Sequence, residues 1–392
     1  MDFYSQLGIK RVVPAVGPPT DYGGVVMSPE VWKAMREAGR YFISMTELYE
    51  KSGERIAKLV GTEAAYVTQG GAGSIHAATA VCIARGDPVK IKQLPDTTDL
   101  PNEVIIQERH RHYWGGYYYF EKSIEVAGGR LVPVGNDRTC SPAEVESAIT
   151  SRTAAIYFMV MGHTSPSGED GLEETIRVAK KHGIPVIVDA ASRVVPKKEI
   201  GKFNRMGADL VCYGGKYVGG PSASGFLVGR KDLLKALAGK NAWQWPHGRG
   251  LKMDRLMIVA LVKALDMYMK TDVDARERRL KSRARSLAKR LSSIPGIKAE
   301  FVEEPYYGSL PILAPQVAVA FDDPKYNVDY VIDALKKNRP PIYVELANAV
   351  AGKDGSLVIL PPEQQRVLLV TRTFLPDEEA LILQGFRRLM RK

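Results

Sequence analysis

From about residue 45 to residue 230, short apolar runs alternate with stretches of helical period, and that rhythm leaves little choice of architecture. Glu47 to Leu59 reads as an amphipathic helix, followed by a strand at Ala64 to Val67, a glycine-rich turn and a helix from about Ser74 to Arg85. A strand at Glu103 to Gln107, a helix near Phe120 to Ala127 and a strand at Arg130 to Val134 continue it. Ser141 then opens a helix, with Glu144 completing a capping box. Further strands are expected at Ala154 to Val160, Pro185 to Asp189, Asp209 to Cys212 and Ser224 to Val228, with a helix at Leu172 to His182 between the first two. Apolar runs with few polar alternations suit strands buried on both faces. Their alternation with helices predicts an α/β fold with a parallel sheet and crossover helices.

A chain of 392 residues exceeds the usual size of roughly 100 to 200 residues per domain, so a second domain is expected. The rhythm breaks at a long helical stretch, Met253 to Met269, and a basic helix, Asp274 to Leu291. The expected division is an N-terminal segment, 1–45, covering the site; a large domain, 46–252; a linking helix, 253–272; and a small α+β domain, 273–392. The last has strands near Gln316 to Phe321 and Arg366 to Thr371 and a final helix at Asp377 to Met390. Pro14 to Pro19 and Pro95 to Asn102 read as surface or site-covering loops.

With 45% hydrophobic and 25% charged residues, the composition is that of a globular protein. The apolar runs fall far short of the roughly 20 residues a bilayer needs, so no membrane span is expected. The N-terminus lacks the basic-then-apolar order of a signal peptide, and a cytoplasmic location is expected. Cys82, Cys140 and Cys212 are far apart and odd in number. They suggest neither disulfides nor a zinc site, and read as buried small hydrophobes. The net charge of +11 comes from basic residues dispersed among acids, which disfavours nucleic acid as partner and suits a solvated surface that attracts an anionic substrate.

Three features fit the two-ended grip that pyridoxal 5′-phosphate requires. Lys216 lies in the glycine-flanked run Tyr213-Gly214-Gly215-Lys216-Tyr217, where backbone can approach a flat ring and a lysine amine can form an imine with an aldehyde. Asp189 ends an apolar strand, which puts a carboxylate at the sheet edge where open α/β folds bind ligands. Such an acid can pair with a protonated pyridine nitrogen. The turn Thr68 to Ser74 joins a strand to a helix whose N-terminal N–H groups can hold a phosphate. Its Gly71-Ala72-Gly73 only loosely mimics a dinucleotide fingerprint, because Ile75, His76 and Ala77 follow where a third glycine is needed.

The runs GADLVCYGGKYVGGPSASGFLVGRKDLL, IPVIVDAAS, YSQLGIKRVVPA, GTEAAYVTQGGAG and LPDTTDLPNEVIIQ resemble fold-type I, aspartate aminotransferase-like pyridoxal-phosphate enzymes. Within that fold, the resemblance is to the group of bacterial selenocysteine synthase (seryl-tRNA selenium transferase), and most of all to its D-glucosaminate-6-phosphate ammonia-lyases. It implies a large mixed or parallel-sheet domain with a small C-terminal α+β domain. It further implies Lys216 as the Schiff-base lysine, Asp189 as the pyridinium partner, and Gly71, Ala72, Gly73 and Ser192 as cofactor-binding residues. Ser222 would approach the cofactor phosphate of a neighbouring subunit, which makes a homodimer or higher homo-oligomer the expected assembly. A histidine in ERHRHYWGGYYYFEKS should stack on the cofactor ring, His110 or alternatively His112. Arg372, in VTRTF, occupies a place where related enzymes hold a substrate carboxylate, and is otherwise an exposed strand-end arginine. The selenocysteine synthases carry a tRNA-binding N-terminal extension that has no counterpart before the first matching residues.

The expected activity is therefore a lyase: α,β-elimination with release of ammonia from an amino acid or amino-sugar acid such as D-glucosaminate 6-phosphate. His247, Arg249 and Lys252 form a basic loop suited to a phosphorylated or carboxylated substrate. The alternatives are β-replacement on an aminoacyl-tRNA, or a catalytically idle protein that keeps the fold.

Overall fold

The computed structural model describes residues 2–111, 113–114, 117–118, 120–160, 169–238, 247–302, 315–347, 349–351 and 357–391. The chain forms two compact units, residues 27–271 and, together, residues 1–26 and 272–392.

The larger unit is organised by a seven-stranded sheet of β1 (Ala64–Thr68), β2 (Glu103–Gln107), β3 (Arg130–Val134), β4 (Thr153–Met159), β5 (Val186–Asp189), β6 (Leu210–Gly214) and β7 (Gly225–Gly229). The strand order is β1-β7-β6-β5-β4-β2-β3, with β7 alone antiparallel to its neighbours. All residues of β2, β4, β5, β6 and β7 are buried, as near-continuous apolar runs predict. The edge strand β3 is part exposed and carries Pro133, whose missing N–H costs nothing at an edge. Helices α1 (Pro29–Ala38), α2 (Met45–Val60), α3 (Gly70–Ile83), α4 (Leu172–Lys181) and α5 (Arg255–Lys270) belong to this unit. Every residue of α3 from Gly73 to Ile83 is buried, which suits a helix apolar all round, and α3 crosses β4, β5, β6 and β7.

The smaller unit has a four-stranded antiparallel sheet of β8 (Ile297–Val302), β9 (Gln316–Phe321), β10 (Glu345–Ala347) and β11 (Arg366–Val370), in the order β8-β9-β11-β10. Helices α6 (Val273–Ser292), α7 (Val328–Lys336) and α8 (Glu378–Leu389) complete it. Its core gathers Leu287, Leu291, Val317, Val319, Leu335, Leu369 and Phe386.

Several expectations change. The N-terminal segment divides: residues 1–26 join the smaller unit, while α1 packs on α5 inside the larger one, so α5 is an integral helix rather than a linker. Pro14 to Pro19 is no surface loop. Val13, Ala15 and Val16 are buried, because the Ala15 N–H donates to the Tyr343 carbonyl (2.8 Å) and the Ala15 carbonyl accepts from the Val370 N–H (2.8 Å). A strand satisfied on both edges can enter a core despite its prolines. Of the cysteines, Cys82 and Cys212 are buried and Cys140 is half-buried. Among the described residues, no helix is long and apolar enough to cross a membrane.

Candidate active site

Four parallel strands, β2, β4, β5 and β6, end at one sheet edge, in a register that pairs Met159 with Asp189 and Asp189 with Cys212. The Asp189 carboxylate is buried there. Oδ2 accepts from the Tyr157 hydroxyl at 2.9 Å, and Oδ1 from the Ala191 N–H at 3.0 Å. Burial pushes its pKa above the usual carboxylate value, against the opposing pull of Ala191 and Tyr157. No described lysine or arginine forms an ion pair with it. A buried carboxylate held by two neutral donors is suited to a cationic partner such as a protonated ring nitrogen.

The next strand delivers Lys216. After β6 the chain closes a 3₁₀ turn, Gly215–Val218, where the Gly215 N–H donates to the Ser224 carbonyl at 2.7 Å. A Cβ at Gly215 would fall 2.1 Å from Ser224 Oγ, so only glycine fits. Lys216 is half-buried, with Nζ 5.3 Å from the centroid of the Tyr217 ring.

The phosphate-type turn differs from expectation in one respect: the helix starts at Gly70, not Ser74. Gly70 has φ +72°, which lets the chain turn directly from strand into helix. Gly71 and Ala72 thus sit in the first turn, where N–H groups have no intrahelical acceptor, whereas the Gly73 N–H donates to the Gln69 carbonyl at 3.2 Å. The strand-to-helix junction is pinned by Thr68 Oγ1 and Ser74 Oγ at 2.6 Å, and by Gly225, where a Cβ would meet the Gly70 backbone at 2.5 Å.

Ala191 joins the three features. A Cβ on Gly71 would lie 3.2 Å from the Ala191 Cβ, and the Ala191 carbonyl accepts from the Gly214 N–H at 2.9 Å. The loop after Asp189 is therefore in contact with the first turn of α3 on one side and the strand leading to Lys216 on the other. Ser192, in the same loop, is half-buried. Ser222 Oγ, in the turn between β6 and β7, is buried and has no hydrogen-bond partner. An orphan hydroxyl and a row of free first-turn N–H groups are the donors a phosphate takes. The residues present fit pyridoxal phosphate.

His110 is fully buried, edge-on to Phe158 with centroids 4.2 Å apart and planes at 67°. Strand alternation turns Phe158 to the face opposite Tyr157 and the Asp189 carboxylate. His112 lies outside the described residues. Arg249 is exposed in the 3₁₀ segment His247–Leu251. His247 packs against His76 of α3 with ring centroids 4.7 Å apart and Nε2 atoms at 2.9 Å. Burial, with His247 second, pushes His76 down to about 3, and burial lowers His247, so the pair is neutral with one ring donating to the other. Arg372 belongs to the smaller unit, where its two terminal nitrogens meet the Glu277 carboxylate oxygens at 2.7 and 2.8 Å.

Sequence reasoning passed over Tyr157, Ala191 and Tyr217. Tyr217 stands next to Lys216 in the sequence and was in plain view. Tyr157 becomes visible only when β4 and β5 are set in register, because its partner is 32 residues away.

The profile of a family described as L-seryl-tRNA selenium transferase matches residues 48–348. A Streptomyces protein named 5′-C-glycyluridine monooxygenase-decarboxylase is 33% identical over 303 residues, 77% of this chain and 74% of its own length. A Salmonella typhimurium D-glucosaminate-6-phosphate ammonia lyase is 30% identical over 303 residues, covering 77% of this chain and 79% of that one. A solved structure of a D-glucosaminate-6-phosphate ammonia-lyase superposes with a TM-score of 0.82 at 27% identity, over 100% of this chain and 98% of that one. The fold is fold-type I.

Proposed function

This chain belongs to the L-seryl-tRNA selenium transferase family, and we propose that it is a pyridoxal 5′-phosphate-dependent lyase releasing ammonia from a 2-amino-3-hydroxy acid such as D-glucosaminate 6-phosphate. The observation that carries this is the junction at Ala191, which gathers a buried strand-end carboxylate, a glycine-bounded lysine and an open helix N-terminus. Glucosaminate and a seryl group share an amine on Cα and a hydroxyl on Cβ, the pattern that elimination needs.

Pyridoxal phosphate, when bound, supplies an electron sink for the charge left when the α-proton departs. Lys216 would hold the cofactor through Nζ, and its amine, when free, would take the proton from the substrate Cα. Asp189 would accept from a pyridine N–H, and the Tyr157 hydroxyl and Ala191 N–H fix the direction of that carboxylate. The N–H groups of Gly71 and Ala72 would take the phosphate, and Ser222 would serve the cofactor phosphate of a second subunit in a homodimer. Arg249 and Arg372 would each be a candidate partner for an anionic group of a substrate. The β-hydroxyl leaves as water, and water then returns as ammonia is released, so the net products are a 2-keto-3-deoxy acid and ammonia.

The test is a keto-acid and ammonia assay over a panel of D- and L-2-amino-3-hydroxy acids, free and phosphorylated. Stoichiometric keto acid and ammonia with one phosphorylated amino-sugar acid is expected. The 33% identity to a named monooxygenase-decarboxylase favours one competing outcome, in which the Cα–carboxylate bond breaks instead. Oxygen uptake with carbon dioxide release and no ammonia would replace the elimination reading with that one. Sulfur or selenium transfer to a seryl-tRNA, with the small acids inert, would replace it with β-replacement.

A further inference from the structure

We propose that Tyr217 is a positioning residue of the cofactor site, its ring face holding the Lys216 ammonium at the corner of the sheet edge next to Asp189. This rests on the pyridoxal-phosphate reading for its consequence, but not for its geometry.

The Lys216 nitrogen lies 5.3 Å from the Tyr217 ring centroid, inside the roughly 6 Å over which an ammonium is attracted to an aromatic face. The ring cannot drift. A Cβ at Gly214 would sit 3.1 and 3.2 Å from its Cδ2 and Cε2, so the ring lies flush on the last residue of β6, whose N–H donates to the Ala191 carbonyl. One glycine therefore admits the ring and also ties β6 to the loop after Asp189. The phenol is buried and feels the Asp189 charge. Burial first and that charge second push it up to about 12, which keeps it a neutral hydroxyl at any working pH.

Among the described residues, three strands bring titratable groups to this corner. Asp189 comes from the end of β5, Tyr157 from β4 behind it, and Cys212 from β6, whose thiol is raised by burial and by Asp189. From α5, the group that reaches the Lys216 turn is apolar: Leu261 Cδ1 would be 2.8 Å from a Cβ on Gly215. Asp189 is held by Tyr157 and Ala191, and the ring face adds its attraction for the charged form of Lys216. Holding the amine over the ring fixes its direction and favours its charged form, and both bear on when it can attach to an aldehyde and when it can take a proton.

The test compares wild type with Tyr217→Phe, Tyr217→Leu and Tyr217→Met. Lys216 is titrated in the cofactor-free protein by the pH dependence of its acylation, read by peptide mass spectrometry. The pH dependence of the visible imine band is read in the loaded protein. Phe keeps the ring, so its Lys216 titration should match wild type. Leu and Met remove it, and the midpoint should fall by about half to one pH unit in both. Two replacements of different shape guard against a folding artefact, which circular dichroism monitors. Equal midpoints in all four proteins would overturn the proposal, as would a fall in Phe as large as in Leu, since the hydroxyl would then set the titration. Absence of an imine band in wild type would instead remove the cofactor reading, while the acylation series would still decide the role of Tyr217.

Discussion

The Asp189–Lys216 sheet edge of the larger unit and the arginine fork of the smaller one are built in different ways. Around Asp189 and Lys216, position is fixed by backbone: Gly215 against Ser224, Gly225 against Gly70, Gly214 against Tyr217, and a loop whose carbonyl at Ala191 accepts from β6. Around Arg372, position is fixed by a bidentate ion pair to Glu277, 95 residues away, with the side chains 13% exposed. Backbone contacts tolerate no added atom. Ion pairs at partial exposure are worth little and can be exchanged for other partners. The first arrangement is rigid and the second exchangeable.

The sharpest way to break that contrast is at Lys216. Lys216→Ala should abolish the borohydride-reducible imine absorption and slow α-proton exchange by about 10²- to 10⁴-fold. A persistent imine band would show that another lysine holds the cofactor and that the edge is misread.

Glycine substitution next tests whether backbone contacts build the Asp189–Lys216 edge. Gly225→Ala puts a Cβ 2.5 Å from the Gly70 backbone and should cost about 1–3 kcal/mol in denaturant unfolding, and it should loosen the phosphate turn. Gly250→Ala, where a Cβ meets nothing within 4 Å, should leave stability unchanged within about 0.5 kcal/mol. If both are silent, the tight junction is not what holds α3.

The histidine pair on α3 gives a third probe of the same unit. His76 is depressed from 6.5 to about 3, so the unfolded chain binds the proton first on acidification. Stability contributed by the neutral pair is complete above pH 6.5 and is lost as pH falls toward 3, with a slope of about 1.4 kcal/mol per pH unit in that window. His76→Leu should reduce that slope in urea unfolding between pH 6.5 and 4, leaving the part that the buried His247 contributes. An unchanged slope would assign it to other groups.

The difference between the two ends also explains what could be read in advance. The sheet-edge positions of Asp189 and Lys216 could be read because each follows a strand in an apolar or glycine-rich run, and the sheet edge follows from the βα rhythm. The start of α3 was misplaced by four residues because glycines are poor helix formers, and only the tight approach of β7 explains why they are there. The buried segment from Val13 to Val16 was hidden by its prolines, which read as loop until their strand partners in the smaller unit are known. Helix α1 and strand β8 went unassigned, the one taken into a covering segment and the other short and half exposed. Tyr157 and the Arg372–Glu277 pair leave no local trace at all, since each depends on contacts across tens of residues.

Glu277 tests the exchangeable end, with the smallest expected effect. If Arg372 receives a substrate carboxylate, Glu277 competes for the same fork, because a guanidinium presents one planar pair of N–H groups to one carboxylate at a time. Glu277→Gln keeps the shape of the side chain and weakens that competition. The apparent substrate KM should then fall by about two- to tenfold with kcat nearly unchanged, the pattern of a gain in ground-state binding. Arg372→Lys should do the opposite, since a lysine cannot present the fork, and should raise KM whether or not Glu277 is neutralised. A fold stabiliser would respond otherwise: both substitutions would lower the unfolding midpoint and leave KM where it was. In that case Arg372 would be a strut of the smaller unit, and the carboxylate-binding group would have to be sought elsewhere.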